Sequence, residues 1–334
     1  MKSEEKTYSH RPAGAAAGEG YKAVAYTPAE RSRWDGFVGE SRNATFLFLR
    51  DYMEYHSDRF ADASLIVLDG RGETAALWVA SIDGDRVTAH GGLTYGGLVL
   101  PRKGSNAADV VAMMEAVASY WRRRGVKEIV YKCVPWIYHC MPSQEDVYAL
   151  MRLGAEMSEV NISSTLELGS DLPRLDSNVR RMAAKARKAG VTVNESNDFA
   201  GYWQLLEELL RQRYCTAPVH SVEEMTRLAS LMEGRIRLYE ARGADGELLG
   251  GTVIYVTDTV AHAQYIAASP RGKDAGALHL LFAELIEQYR GKVKYFDFGT
   301  SNEDHGRYLN AGLIRWKRAF GATGVACQVF KLRL

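Results

Sequence analysis

Six basic side chains cluster between positions 172 and 190, on a segment predicted to be helical: Arg174, Arg180, Arg181, Lys185, Arg187 and Lys188. Lys and Arg side chains that converge on one anion donate charge-assisted hydrogen bonds, so this segment could clamp a phosphate group. The alternative is an ordinary solvated helix face. The sequence leaves both readings open.

Proton-accepting side chains follow a short aromatic strand predicted at 293–298. Functional residues often collect in loops at strand ends, and carboxylates and imidazoles there can act as general bases. The candidates are Asp297, Glu303, Asp304 and His305. We select Asp297 and His305, the alternative being that the loop acids are solvated surface residues.

Composition excludes several classes of site. Cys133, Cys140, Cys215 and Cys327 lie far apart, without CxxC or Cys–His spacing typical of zinc ligands, so no metal is expected. The chain has 42 Lys and Arg against 41 Asp and Glu, which leaves no global field to bind duplex nucleic acid. With no signal-peptide pattern and no long apolar run, we expect a cytoplasmic protein without a membrane span, preceded by a disordered segment 1–20.

The elements that must position these residues occur in the same order in two halves. In the first half, strands are predicted at 64–68, 75–79, 86–90, 128–132 and 160–168, with helices at 109–124 and 144–152. In the second, strands are predicted at 236–241, 249–256, 260–266, 293–298 and 325–332, with helices at 278–289 and 307–319.

Short sequence fragments recur at matching places in the two halves. Arg124-Gly125 is repeated as Arg290-Gly291, 166 positions later, and Leu153-Gly154-Ala155 corresponds to Phe320-Gly321-Ala322, 167 positions later. We therefore predict a duplicated α/β (α+β) fold with a first domain at 21–170 and a second at 171–334. Each would be a mixed, mostly antiparallel sheet flanked by helices, with the last strand completing the second domain or crossing to the first.

This element order resembles that of the GNAT acyltransferase superfamily. The tandem copies, the segment 296–301 (FDFGTS) and the segment 313–321 (LIRWKRAFG) resemble the branch of Fem peptidyltransferases and BioF2-like acetyltransferases. The resemblance covers roughly residues 34–332. It implies two tandem GNAT-like domains, with the acceptor bound by the first and with donor binding and catalysis in the second.

In the superfamily, backbone amides at the start of the central helix hold the pyrophosphate of acyl-CoA, because unpaired N–H groups and the positive dipole end attract an anion. The matching stretch here is 270–277. By resemblance, its donor-binding residues are Arg271, Gly272, Lys273, Ala275, Gly276 and Ala277. Asp274 departs from the pattern by replacing a glycine. The resemblance therefore implies acetyl-CoA or another acyl-CoA as co-substrate, at one site in the second half.

The resemblance also implies roles for an aromatic-Lys pair. Lys317 would stabilise the tetrahedral oxyanion or the leaving group, while Asp297 or His305 would deprotonate the acceptor amine. The alternative for Lys317 is an exposed position on its helix. Trp316 would contact the substrate, and the acceptor is expected in the cleft between the halves, near Arg42, Tyr95 and Tyr138.

The function predicted from the sequence is an N-acyltransferase. It would move an acyl group, most simply acetyl, from acyl-CoA to a small-molecule amine or amino sugar in cell-envelope or polysaccharide synthesis. One alternative is a Fem-like peptidyltransferase that uses aminoacyl-tRNA. Another is a degenerate, non-catalytic binding protein.

Overall fold

The computed structural model describes residues 20–214 and 216–334, so the segment predicted to be disordered lies outside the described residues except for Gly20. The strands in the described residues are β1 (Lys22–Ala25), β2 (Ala61–Asp62), β3 (Leu65–Leu68), β4 (Thr74–Val79), β5 (Ser81–Asp83), β6 (Arg86–Thr88), β7 (Gly97–Val99), β8 (Glu128–Lys132), β9 (Glu156–Glu167), β10 (Thr192–Ser196), β11 (Ile236–Arg242), β12 (Leu248–Val256), β13 (Val260–Ala268), β14 (Tyr295–Thr300), β15 (Asn302–Glu303), β16 (Tyr308–Leu309) and β17 (Thr323–Arg333).

The α-helices in the same residues are α1 (Arg31–Gly39), α2 (Arg50–Met53), α3 (Ala107–Arg122), α4 (Glu145–Arg152), α5 (Ser177–Lys188), α6 (Phe199–Tyr214), α7 (Val222–Leu231), α8 (Pro270–Ala275), α9 (Ala277–Tyr289) and α10 (Ala311–Arg318). Several begin at side-chain caps that the sequence supplies. At α3, Asn106 and Asp109 form a reciprocal capping box, and at α7 Ser221 and Glu224 do the same.

Eleven strands form one continuous sheet in the order β10-β11-β12-β13-β14-β9-β17-β8-β6-β5-β2. The pairs β13–β14 and β6–β8 are parallel, and the other neighbouring pairs are antiparallel. A separate four-stranded sheet has the order β1-β3-β4-β7. The prediction of an α/β fold with mixed, mostly antiparallel sheets is confirmed.

The two closing strands exchange places between the halves. β9, which ends the first half, lies between β14 and β17, while β17, at the end of the described chain, lies between β9 and β8. Thr165 on β9 is therefore paired with Asp297 on β14 and with Thr323 on β17. The exchange places side chains of the first half next to the second half's parallel strands.

Helices cover this sheet by burying apolar faces. On α9, Leu281, Phe282 and Leu285 are fully buried, and the Phe282 ring packs against Phe296 and Phe298 of β14. A further hydrophobic cluster contains residues of both halves, including Phe46, Tyr52 and Tyr255 in edge and tilted ring contacts. Burial of this shared apolar surface holds the halves together.

One predicted helix begins later than expected. The helix predicted at 307–319 begins only at Ala311, because Tyr308–Leu309 pairs with Asn302–Glu303 as a short hairpin. Asn310 then caps α10 by accepting from the N–H of Leu313. The hairpin redirects the loop that carries three of the four candidate bases, Glu303, Asp304 and His305.

Candidate functional site

A cavity opens where the two parallel strands of the second half separate. β13 and β14 pair only at residues 260–262 and 295–297, and they diverge beyond those residues. The cavity between them has a volume of about 720 Å³. Its lining residues come from the diverging strands, from α6, α8, α9 and α10, and from the first half: Thr94, Tyr95, Pro135, Ile137, Tyr138, Ser163, Leu209, Leu210, His262, Ala263, Gln264, Ile266, Ala268, Lys273, Leu278, Asp297, Phe298, Gly299, Thr300, Asn310, Gly312, Leu313, Trp316, Lys317 and Cys327.

Asp297 lies at the point of separation and is 2% exposed. Its Oδ1 accepts hydrogen bonds from Ser163 Oγ, from Thr165 Oγ1 at 2.9 Å and from the N–H of Gly299 at 3.2 Å. Burial by itself raises the pKa of this carboxyl group. The hydrogen bonds from His262, Ser163 and Thr165 outweigh burial, so the pKa is lowered and Asp297 is a carboxylate.

His262 is the partner of the other carboxylate oxygen. Its Nδ1 lies 2.9 Å from Asp297 Oδ2, which also accepts from the Tyr138 hydroxyl at 3.1 Å. A carboxylate at this position places the imidazole proton on Nδ1 and leaves the Nε2 lone pair free. Since His262 lines the cavity, Nε2 is a base held in a fixed orientation beside it.

Lys317 reaches the same cavity from α10, and the structure places it in the interior. It is 2% exposed, so the alternative of an exposed position on the helix is wrong. Nζ donates to the carbonyl oxygens of Gly299 at 2.7 Å and Thr300 at 2.8 Å, which leaves one N–H for the cavity. Burial lowers the pKa of Lys317 to about 8, although the Asp297 charge acts to raise it, so the side chain is mainly an ammonium at pH 7.

Three of the predicted substrate residues line the cavity. Tyr95 and Tyr138 are buried, with ring centroids 4.9 Å apart, and the Tyr95 hydroxyl donates to Thr45 Oγ1 at 3.2 Å. On the opposite side, Trp316 packs its ring against Phe282 and Phe320. Aromatic residues of both halves therefore line the cavity.

Two predicted residues lie outside the cavity. His305 is in the turn between β15 and β16, where its side chain is 84% exposed and Nδ1 lies 3.5 Å from Glu159 Oε2. Arg42 is buried elsewhere, donating Nε to Ser143 Oγ at 3.0 Å and pairing with Glu145 at 3.0 Å. Arg42 thus joins two segments of the first half, and neither residue lines this cavity.

The predicted donor loop is folded as a short helix. In α8 the N–H of Gly272 donates to Ser269 Oγ, and that of Lys273 donates to the Ser269 carbonyl, so both groups are already paired. Ser269 caps α8, and Asp274 caps neither helix. Gly276 has φ +82° and adjoins the Met182 carbonyl of α5, while Ala277 is fully buried at the start of α9.

Most of the side chains predicted to bind the donor lie outside the cavity. Arg271 forms ion pairs with Asp245 and Glu247. Of the six residues predicted to bind the donor, Lys273 is the one that lines the cavity. The unpaired N–H groups at this junction are those of Ala277 and Leu278, at the start of α9, so the assignment of the donor site to residues 270–277 stays a prediction.

Four contributors to the site were not predicted from the sequence: Ser163, Thr165, His262 and Cys327. The alternation of β13 indicates that His262 and Tyr265 face opposite sides, but the sequence does not say which side adjoins Asp297. The parallel register supplies the answer, because it pairs His262 with Asp297. Ser163 and Thr165 reach the site through the exchanged strand β9.

The described residues contain neither a metal-binding cluster nor a helix that could span a membrane. Between 20 and 334, Cys215 apart, no three or more His, Cys, Asp or Glu side chains are grouped so that they could hold a metal ion. Within the same part of the chain, no helix is both long and apolar enough to cross a membrane.

The chain is similar to known proteins in sequence and in fold. Residues 174–318 match the model of the acetyltransferase (GNAT) domain family. FemX is similar with a TM-score of 0.66 and 13% identity, over 94% of this chain and 97% of that chain. The other similar structures include L-PGS from Bacillus licheniformis (TM-score 0.61, 10% identity, 91% of both chains) and a tandem GNAT protein from the clavulanic acid biosynthesis pathway (0.51, 13%, 94% and 98%).

At these identities the structural similarities establish the fold. No curated relative matches the sequence.

Proposed function

We propose, from the GNAT acetyltransferase domain at residues 174–318 and the fold shared with tandem GNAT proteins, that this protein is an N-acyltransferase. It would transfer an acyl group from a thioester donor, most simply acetyl-CoA, to the amine of a small molecule or amino sugar. The observation that carries this proposal is the placement of the His262–Asp297 pair and the Lys317 ammonium around one cavity.

The chemistry follows from the three side chains. His262 Nε2 accepts a proton from the amine nitrogen as that nitrogen bonds to the thioester carbon. The carbonyl electron pair moves onto oxygen, where the remaining N–H of Lys317 stabilises the negative charge. When the carbon–sulfur bond breaks, sulfur leaves with the electron pair and takes up the proton held by His262. The products are an amide and a thiol.

Asp297 supports this cycle without contacting the reacting atoms. Its carboxylate orients the His262 ring through Nδ1 and stabilises the imidazolium that forms during proton transfer. Hydrogen bonds from Ser163, Thr165 and Tyr138 hold the carboxylate itself. Asp297 is therefore a positioning residue.

The diverging strands support a thioester donor on a pantetheine arm. Beyond their three paired residues, β13 and β14 face each other without ladder hydrogen bonds. Backbone N–H and C=O groups along such edges can bind the amides of an extended chain. The cavity volume of about 720 Å³ is also in the range typical of small-molecule sites.

An aminoacyl ester of tRNA is the second candidate donor. The observation that favours it is the folded segment 270–276, in which the N–H groups of Gly272, Lys273 and Gly276 are paired and Arg271 is neutralised, so that few donors are left for a pyrophosphate. The His262–Asp297 and Lys317 chemistry applies to an ester as well as to a thioester. A non-catalytic binding protein would have no need of a buried base and a buried ammonium on one cavity.

A thiol-release assay tests the proposal. Purified protein is incubated with acetyl-CoA or acetyl-pantetheine and a panel of aliphatic amines and amino sugars, and amide formation is confirmed by mass spectrometry. We expect thioester-dependent acetylation that is lost in Asp297→Asn, which cannot fix the imidazole in the same way. Absence of turnover with every thioester, together with amine-dependent deacylation of aminoacyl-tRNA, would establish the second candidate instead.

A further inference from the structure

The end of the cavity lined by Lys273 and Leu278, which we call the donor end, offers few free groups to the pyrophosphate of CoA. The N–H groups of Gly272, Lys273 and Gly276 are donated within the protein, which leaves those of Ala277 and Leu278, at the start of α9, without a partner in the described residues. The Arg271 guanidinium is occupied by two carboxylates. Packing of Gly276 on the Met182 carbonyl leaves this turn no freedom to open without moving α5.

Beside this turn lies an exposed basic face, consisting of Arg180, Arg181, Lys185 and Lys188 of α5 and Lys273 of α8. Residues 177–188 contain five basic and no acidic side chains. Within residues 20–214 and 216–334, no side chain of the basic face forms an ion pair with a carboxylate. Since the whole chain carries a formal charge of +1, the remainder of the molecule is close to neutral or acidic.

The basic face adjoins the opening of the cavity. Lys185 Nζ donates to the Asp274 carbonyl at 2.6 Å, at the end of α8. The charge of Arg181 reaches His279, whose pKa is lowered by burial and by that charge, and His279 packs edge-on against Trp316. Lys273 and Trp316 both line the cavity. A group bound on the basic face is thus adjacent to the donor end of the site.

We propose that the natural donor is an acyl thioester on the phosphopantetheine arm of an acidic carrier protein, which docks on the basic face. This inference rests on the proposed function and specifies the class of molecule that carries the acyl group. The arm needs the diverging strands and the cavity, and its single phosphate requires fewer donors than the pyrophosphate of CoA, in keeping with the two free N–H groups at the start of α9. The acidic carrier supplies the complementary charge, which accelerates encounter and fixes orientation.

The experiment compares three acetyl donors with one active amine: acetyl-pantetheine, acetyl-CoA and a bacterial acyl carrier protein bearing acetyl-phosphopantetheine. The variant is Arg180→Glu/Arg181→Glu. Its matched control is Arg122→Glu/Arg123→Glu, which reverses two adjacent exposed arginines at the end of α3 in the first half. Denaturant unfolding of both variants verifies that they are folded.

For the wild-type protein at low salt, we expect kcat/KM for the acetylated carrier protein to exceed that for acetyl-pantetheine by about tenfold or more, as electrostatic steering predicts. The α5 variant should lose this advantage while retaining acetyl-pantetheine turnover, added salt should have the same effect, and the control variant should retain the advantage.

Equal kcat/KM for the carrier protein and acetyl-pantetheine would overturn the proposal. A preference for acetyl-CoA that disappears in the α5 variant would also overturn it, by assigning the basic face to nucleotide phosphates. If acetyl-pantetheine is not turned over and aminoacyl-tRNA is, the proposed function itself fails. Turnover of acetyl-pantetheine thus separates the two failures.

Discussion

Asp297 combines burial with a negative charge because the fold surrounds it with donors. The carboxylate accepts from three side-chain hydroxyls, one imidazole and one backbone N–H. Burial of a carboxylate without such partners costs several kcal/mol, so the cluster is needed for the ion to exist there. These hydrogen bonds hold the carboxylate in place and, through it, the His262 ring. A fixed ring suits the proposed role of His262, which is to present Nε2 to a substrate.

The Lys317 ammonium makes the stability of the protein depend on pH. Its folded pKa of about 8 is below the ordinary value of 10.5, so between these values the unfolded chain binds more protons. The free energy of unfolding should therefore rise with pH through this window. Relative to Lys317→Met, the wild type should gain about 2 kcal/mol between pH 7 and pH 9.5.

Urea denaturation of the two proteins at both pH values measures this difference. The comparison cancels titration of other groups, including Lys132, whose pKa is also lowered to about 8 by burial. A difference that stays constant with pH would show that Lys317 titrates normally and is exposed to water in solution.

The sequence predicted Lys317, Asp297, Tyr95, Tyr138 and Trp316, because these residues lie in or near recognisable segments. It did not predict the roles of Ser163 and Thr165, since these depend on which strand pairs with β14, a contact more than 130 positions away in the chain. His305 was selected for its residue type. It lies in the turn of a short hairpin, and strands of two residues are too short to show a pattern in the sequence.

At the scale of elements, the junction of α8 and α9 constrains its glycine in two ways. Gly276 has φ +82°, and a Cβ there would lie 2.7 Å from the Met182 carbonyl oxygen. Gly291 has φ +74° but open space around the same position. Replacing each glycine by alanine therefore distinguishes two costs. Backbone strain is present at both positions, whereas steric overlap is present at Gly276 and not at Gly291.

Gly291→Ala should cost about 1 kcal/mol, from the left-handed backbone alone. Gly276→Ala should cost more, by about 1 to 3 kcal/mol, because α5 must also move. Chemical denaturation of the two variants gives both values. Equal losses would mean that α5 does not pack on this turn. A residue larger than alanine at position 276 would disrupt the fold, so a loss of donor binding in such a variant would not show that Gly276 contacts the donor.

The exchange of β9 and β17 joins both halves into one site. Ser163 and Thr165 belong to β9, which was predicted as the closing strand of the first half, yet they bind a carboxylate of the second. The boundary at 170/171 divides the chain by sequence, whereas the sheet runs across it.

This arrangement predicts that the second half is not stable alone. In residues 171–334, β14 would lose β9, and β17 would lose both of its neighbours. Expressed separately, this fragment should be insoluble or unfold without a cooperative transition, and co-expression with residues 1–170 should restore a soluble complex. A monomeric fragment 171–334 with a cooperative thermal transition would contradict the exchange.

At the scale of the whole molecule, the first half lacks the site residues at the positions that match those of the second half in sheet register and sequence offset. The parallel pair β6–β8 aligns Thr88 with Val130, as β13–β14 aligns His262 with Asp297. The position 167 residues before Lys317 is the buried Leu150. The first half therefore lacks the base, its carboxylate and the ammonium.

A comparison of two buried lysines tests the central claim that His262, Asp297 and Lys317 form a catalytic site. Lys132 is also largely buried and donates to the Leu93 carbonyl, but it does not line the cavity. In the thioester assay, Lys317→Met should lower kcat and kcat/KM together by about 100-fold or more, with little change in KM, because it removes charge stabilisation in the transition state. Lys132→Met, once shown to be folded, should retain activity within about threefold of wild type, the range expected for a residue without such a role. Full activity in Lys317→Met, or equal losses in the two variants, would contradict the account.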